Sequence, residues 1–213
     1  RLPTLAETTA FLSSSDANKR DKLIDQLIDG QDYADYFASK WSSILRNKRK
    51  SSKDNLKPTQ AFHTWIRDSL NNNKPYDQFV REVLTAAGEE VKVPQVTWYR
   101  EVHDAAAQAE DTAQLFLGLR IQCARCHHHP YEKWSQQDYF GFQAFFSQVG
   151  YKKPPPPPKG KKKKKKGKAP LPPMHVLFKI GVASAKNPKT GDAVKPTGLG
   201  SEPLDIPADI DPR

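Results

Sequence analysis

Cys123-Ala124-Arg125-Cys126-His127, followed directly by His128-His129-Pro130, holds both cysteines of the chain and three of its six histidines. Cys-x-x-Cys-His is the spacing at which a c-type haem is attached. Two thiols form thioethers to the porphyrin vinyl groups, and the next residue presents an imidazole to the iron. One turn of chain must bring both sulfurs to one porphyrin edge while the imidazole reaches the metal. The same residue types admit other chemistry. A Cys-x-x-Cys pair closes as a disulfide or works as a redox couple, or the two thiols are simply buried. Zinc accepts two thiolates and two imidazoles in a tetrahedron, here Cys123 and Cys126 with His127 and His129. The short spacing weighs against zinc, whose ligand pairs usually come from separated hairpins. The histidine beside the second cysteine points to haem.

Outward from the motif, the pattern predicts a helix from about Glu101 to Leu119, alanine-rich at first and closing on Leu115, Phe116 and Leu117. On the other side Pro130 ends the motif, and Ser135-Gln136-Gln137-Asp138 reads as a capping start. Tyr139, Phe142, Phe145 and Phe146 then form an aromatic face, which suits a haem wall or an ordinary core.

Further upstream, Thr4-Leu5-Ala6-Glu7 reads as a capping box for a short helix. A second helix is expected from about Asp16, with Leu23, Ile24, Leu27 and Ile28 on one face and Gly30 as its stop. Tyr33, Phe37, Trp41, Ile44 and Leu45 form a third stripe, read as core, with a basic end at Arg46 to Lys50. Pro58 suits a first helical turn, and Phe62, Trp65, Ile66 and Leu70 follow until Asn71-Asn72-Asn73. Pro75 opens a fifth helix with Phe79, Val80, Val83 and Leu84 inside. Residues 89–100 read as an irregular connection, because Pro94 interrupts the alternation of Val91, Val93 and Val96.

The 213 residues include 37% hydrophobic ones, enough for a proper core. No apolar run is long enough to span a membrane. The chain opens on Arg1 with no signal-peptide pattern after it, which reads as a processed product or an excised piece. The net charge of +10 has one source, since Lys152 to Lys168 carry ten lysines and no acid. The rest of the chain is balanced, and a nucleic-acid surface on the folded part is not expected.

Composition changes at Gly150. All aromatic residues except Tyr151 and Phe178 precede residue 151, whereas thirteen of the eighteen prolines follow it. Residues 1–150 are therefore expected to form a mainly α, multi-helix domain, and residues 151–173 a Pro/Lys-rich linker. Residues 174–213 are expected to be a short strand and turn segment leading towards a further, missing C-terminal region. His175 to Ile180 is its best strand, and Asn187-Pro188-Lys189-Thr190-Gly191 is a turn able to close a hairpin onto Val194.

The block Phe116-Leu117-Gly118-Leu119-Arg120-Ile121-Gln122-Cys123-Ala124-Arg125-Cys126-His127-His128-His129-Pro130 resembles the planctomycete cytochrome-type domain family of unknown function. That family reads Phe-Leu-Gly-x-Arg-x-Gln-Cys-x-x-Cys-His-x-His-Pro, then an aromatic, a basic residue, Trp and a Tyr-rich helix. Tyr131, Lys133, Trp134, Asp138 and Tyr139 stand in those places. The likeness extends through Trp65-Ile66-Arg67-Asp68, Asn73 to Glu82, the opening Leu2-Pro3-Thr4 and the turn at Asn187 to Gly191. His128 departs from the family, which more often has Asp or Asn there. The resemblance implies an extracytoplasmic planctomycete protein in which this domain precedes another.

These readings converge on a haem c module for electron transfer. Cys123 and Cys126 would be the anchors, His127 the axial ligand, and a redox protein of unspecified identity the partner. The alternative is a structural zinc site or a disulfide-bearing interaction domain without redox activity. Met174, His175, His63 and His103 are the candidates for a distal ligand. No catalytic residues are predicted: no nucleophile elbow or P-loop is present, and Asp104, Glu110 and Asp111 show no pairing.

Overall fold

The computed structural model describes residues 1–48, 56–152 and 173–210. The basic tract from Lys153 onward, like Arg49 and Lys50 at the expected basic helix end, lies outside them.

Within the described residues the chain is mainly α, with seven α-helices, two 3-10 helices and five short strands. The predicted capping box forms: the Thr4 side chain accepts from the Glu7 amide, and Glu7 answers the Thr4 backbone, opening α1 (Leu5–Ser13). The arginine of Arg1 and this network hold the Glu7 carboxyl far below the usual carboxylate range. Helix α2 (Lys19–Ile28) starts three residues later than the pattern suggested. Its apolar face meets no core, and Ile24, Leu27 and Ile28 are each more than half exposed.

The first core is built by α3 (Gln31–Ile44), α4 (Leu56–Asn71) and α5 (Tyr76–Leu84). Phe62 and Ile66 of α4 and Val83 of α5 are fully buried, and Leu45 closes α3 against them. The Trp65 ring stacks on Phe79 at 4.8 Å and on Phe62 at 5.8 Å. The predicted stripe of α3 is inside only in part. Leu45 is its fully buried member, and Phe37 and Ile44 lean into solvent. The buried face of the helix is completed by Ala34 and Ala38, outside the predicted stripe, because close α3–α4 packing admits small side chains at the contact.

The stretch expected to be irregular is so only at residues 90–93. Residues Pro94–Arg100 form a 3-10 helix with proline at its start, burying Val96, Thr97, Trp98 and Tyr99 in succession. Tight 3-10 winding in a short piece lets consecutive residues face inward, which no 3.6-residue or two-residue period reveals. The Tyr99 hydroxyl donates to the Leu84 carbonyl, and burial pushes that phenol well above its ordinary pKa.

Helix α6 (Ala105–Phe116) is capped by Asp104 and shorter at both ends than predicted. Its Asp111 carboxylate, 5% exposed, is gripped by Arg46 through Nε at 3.1 Å and Nη2 at 2.5 Å. Arg46 sits at φ +55°, a left-handed conformation that costs a non-glycine residue about 1 kcal/mol or more. Arg46→Ala leaves a buried carboxylate, but the arginine is half exposed and water can replace part of the pairing. The expected loss is about 1–2 kcal/mol, whereas Arg46→Gly relieves the backbone and loses less. Urea unfolding of the two variants checks the order.

The second core lies around α7 (Gln136–Ala144), whose predicted capping box is formed by Ser135 and Asp138. Tyr139, Phe140 and Ala144 pack with Ala113 of α6 and with Ile121, Ala124 and Trp134.

Residues beyond the basic tract return to both cores. Strand β3 (His175–Phe178) is the centre of a three-stranded antiparallel sheet with β1 (Gly88–Glu89) and β2 (Val149–Tyr151), in which Val176 lies opposite both Gly88 and Tyr151. Val176 is fully buried in the first core. The predicted hairpin forms from β4 (Ala185–Lys186) and β5 (Ala193–Val194), and Ala185 and Val194 enter the second core. Gly141 of α7 allows this approach: a Cβ there would lie 2.7 Å from Thr197 Cβ, while the Thr197 amide donates to the Gly141 carbonyl at 3.0 Å. The compositional break at Gly150 is therefore not the edge of the hydrophobic core.

Candidate haem-attachment turn

The motif begins on a short 3-10 helix, Gln122–Arg125, packed against α7, and Cys126 and His127 follow directly after it. Ile121 and Ala124 are fully buried in the second core. With Ala124 inside, its neighbours on both sides are turned outward, and Cys123 and Cys126 are exposed free thiols. The Cys123 carbonyl accepts from the amides of Cys126 at 3.3 Å and His127 at 3.4 Å, so the three candidate residues share one hydrogen-bonded turn.

The three consecutive histidines differ in what their rings do. Nδ1 of His127 lies 2.6 Å from the His128 carbonyl oxygen. A carbonyl only accepts, so Nδ1 carries the proton and Nε2 keeps its lone pair free for a ligand. His129 is the reverse case. Its Nδ1 accepts from the amides of Glu132 at 2.9 Å and Tyr131 at 3.3 Å. The ring proton of neutral His129 is therefore on Nε2, and no lone pair is left for a metal. A ligand role for His129 requires this turn to rearrange. Its backbone amide also donates to the Trp134 carbonyl at 2.8 Å, closing the loop that follows the motif.

Among the described residues, no group of three or more His, Cys, Asp and Glu side chains is arranged to hold a metal ion. The zinc set Cys123, Cys126, His127 and His129 is thus not brought together, although two thiols and one imidazole share a turn. Two concavities, of about 440 and 480 Å³, are lined by residues of the α3–α4 region and by Lys74 and Pro94, and neither is lined by the motif.

The distal candidates are spread over the molecule. Met174 packs against the first core, and His175 pairs across the sheet from Glu89. His103 stacks on Tyr151 at 3.8 Å, and His63 lines the larger concavity. None of these contacts involves the motif. The expected aromatic wall is divided as well: Tyr139 and Phe146 are buried, and Phe142 packs edge-on against both Phe145 and Phe146.

Sequence reasoning missed two residues that hold the turn. The side-chain amide of Gln136, 8% exposed, donates to the Arg125 carbonyl at 3.1 Å. Glu110 of α6 accepts the Tyr139 hydroxyl at 2.7 Å, and Arg125 Nη1 lies 3.7 Å away from it. Both are polar residues on helices flanking the motif, Gln136 buried and Glu110 half-buried, and nothing in their spacing marks them.

The family model described as PSCyt2, a protein of unknown function (DUF1549), matches residues 1–151. No curated protein and no solved structure matches the chain. No helix among the described residues is long and apolar enough to cross a membrane.

Proposed function

We propose that this chain, which belongs to the PSCyt2 family of proteins of unknown function (DUF1549), is a c-type haem module that passes electrons. Cys123 and Cys126 are its covalent anchors and His127 its axial ligand. The observation that carries this reading is the contact of His127 Nδ1 with the His128 carbonyl at 2.6 Å, which orients the ring and leaves Nε2 as the nitrogen available to a ligand. The donor set fits the group, since both thiols are free and exposed on the same turn.

When bound, the haem supplies a one-electron couple at its iron. The chain does the rest. Buried Ala124 and Ile121 root the turn in the second core, and the Cys123 carbonyl keeps the anchors and His127 in register. His129 caps the loop instead of joining the donor set. Because the two thiols lie at the surface, a haem attached to them would be within reach of a partner protein, as electron exchange needs. The same reading places the protein outside the cytoplasm.

The test is covalent attachment. The full chain, produced in a host that matures c-type cytochromes, is expected to stay red after denaturation, and replacing both Cys123 and Cys126 by Ser is expected to remove that colour completely. A colourless wild-type chain, or one whose haem washes out on unfolding, overturns the assignment.

A further inference from the structure

Glu110 and Asp111 are neighbours on α6, and successive helical residues point about 100° apart. They accordingly serve different parts of the molecule. Asp111 reaches Arg46 beside the first core, while Glu110 turns towards the motif. There it accepts the hydroxyl of Tyr139, a fully buried residue. Burial first, and the Glu110 bond second, lift the Tyr139 phenol well above its ordinary pKa, so it remains a donor at neutral pH. The same Glu110 oxygen faces the guanidinium of Arg125 at 3.7 Å.

Arg125 is a spacer residue between the two cysteines, and the spacing itself makes no demand on its identity. Yet it is held twice. Its carbonyl is fixed by Gln136 of α7, and its side chain faces Glu110 of α6. Polar contacts from the helices reach the turn at its two ends: Gln122 donates to Gln114 of α6 at 3.0 Å, and Arg125, beside the exposed Cys126, His127 and His128, meets Glu110 and Gln136. Arg125 is 56% exposed and Glu110 22%, so the pair adds little to global stability. Its value is local.

We propose that Glu110 is a positioning residue for the Cys-x-x-Cys-His turn, acting through Arg125, and that it offsets the positive charge which Arg125 places beside the bound group. The charge-balancing half rests on the haem reading; the positioning half does not.

Two measurements test it on the full chain. With haem attached, the midpoint potential is read for Glu110→Gln, Arg125→Gln and the double variant. An anion near the iron favours the ferric state, which carries one more positive charge, so Glu110→Gln is expected to raise the potential. Arg125→Gln is expected to lower it, with the double variant between the two. A merely structural lesion has no reason to give opposite signs, so shifts in the same direction, or none, with haem still covalently held, overturn the charge role. Without haem, amide hydrogen exchange is followed in Glu110→Ala. The Cys126 and His127 amides are expected to exchange several-fold faster while those of α4 are unchanged. Unaltered exchange at the turn overturns the positioning role. A colourless wild-type chain removes the haem reading and the charge role with it, and the exchange result still decides the positioning role.

Discussion

His127→Ala is expected to abolish the imidazole field on bound iron, while His129→Ala keeps it and only loosens the turn. The reason is which nitrogen holds the proton. His127 spends Nδ1 as a donor to the His128 carbonyl and leaves Nε2 bare, whereas His129 spends Nδ1 as an acceptor for the Tyr131 and Glu132 amides. On the proposed haem reading, losing the His127 ring would remove an iron ligand, and the thioethers would then hold a haem with a changed spectrum. Losing the His129 ring frees two amides at an exposed turn, where water takes them up at a cost of about 1 kcal/mol. His129→Asn sharpens the contrast. An asparagine oxygen accepts from amides two and three residues ahead, as in Asx-turns, so it is expected to restore the cap with no imidazole present. Absorption spectra and bound iron and zinc, measured for all three variants, decide the matter. If His129→Asn loses the bound metal while His127→Ala keeps it, the assignment of the axial ligand is wrong.

The second large effect concerns the tail. A chain ending at Lys152 retains α1 to α7 and every residue of the motif, and composition alone presents it as a complete domain. It is nevertheless expected to lose most of its cooperative melt. Removing the tail strips Val176 from the first core and Ala185 and Val194 from the second, and it leaves β1 and β2 without the strand that joins them. Each buried valine contributes roughly 1.5–3 kcal/mol, against a total stability of about 5–15 kcal/mol for a typical domain. Calorimetry of the shortened chain beside the full one is the measurement. A sharp transition within a few degrees of the full-length midpoint means that the tail is an ornament.

What could be read in advance follows from the range of the forces involved. Caps at Thr4 and Ser135, the helical stripes of α4 and α5, the strand at His175 and the turn at Asn187 are written in neighbouring residues, and each is present. The spacing of the motif was legible for the same reason, since it is confined to five consecutive residues. Contacts between distant segments were not legible. Val176 lies opposite Gly88 in the sheet, nearly ninety positions away in the chain, and neither residue carries a mark of the other. Arg46 meeting Asp111, and Gln136 meeting the Arg125 carbonyl, are pairings of common polar residues that only the folded chain selects. The ring protons of His127 and His129 belong to this class too. Two like residues, two positions apart, take opposite roles because of the backbone groups that the loop folds against them.

The pairing of Tyr151 with Val176 also bears on how this chain can change over generations. The two ends of the lysine- and proline-rich stretch are fastened at a strand spacing, whatever lies between them. The entropy of closing a loop grows only as the logarithm of its length, so doubling the stretch costs roughly 0.6 kcal/mol. Selection for stability is nearly blind to insertions of that size. The sheet thus fixes where that stretch leaves and re-enters the fold, so a variant with a longer or shorter lysine run is expected to keep the register of Tyr151 with Val176.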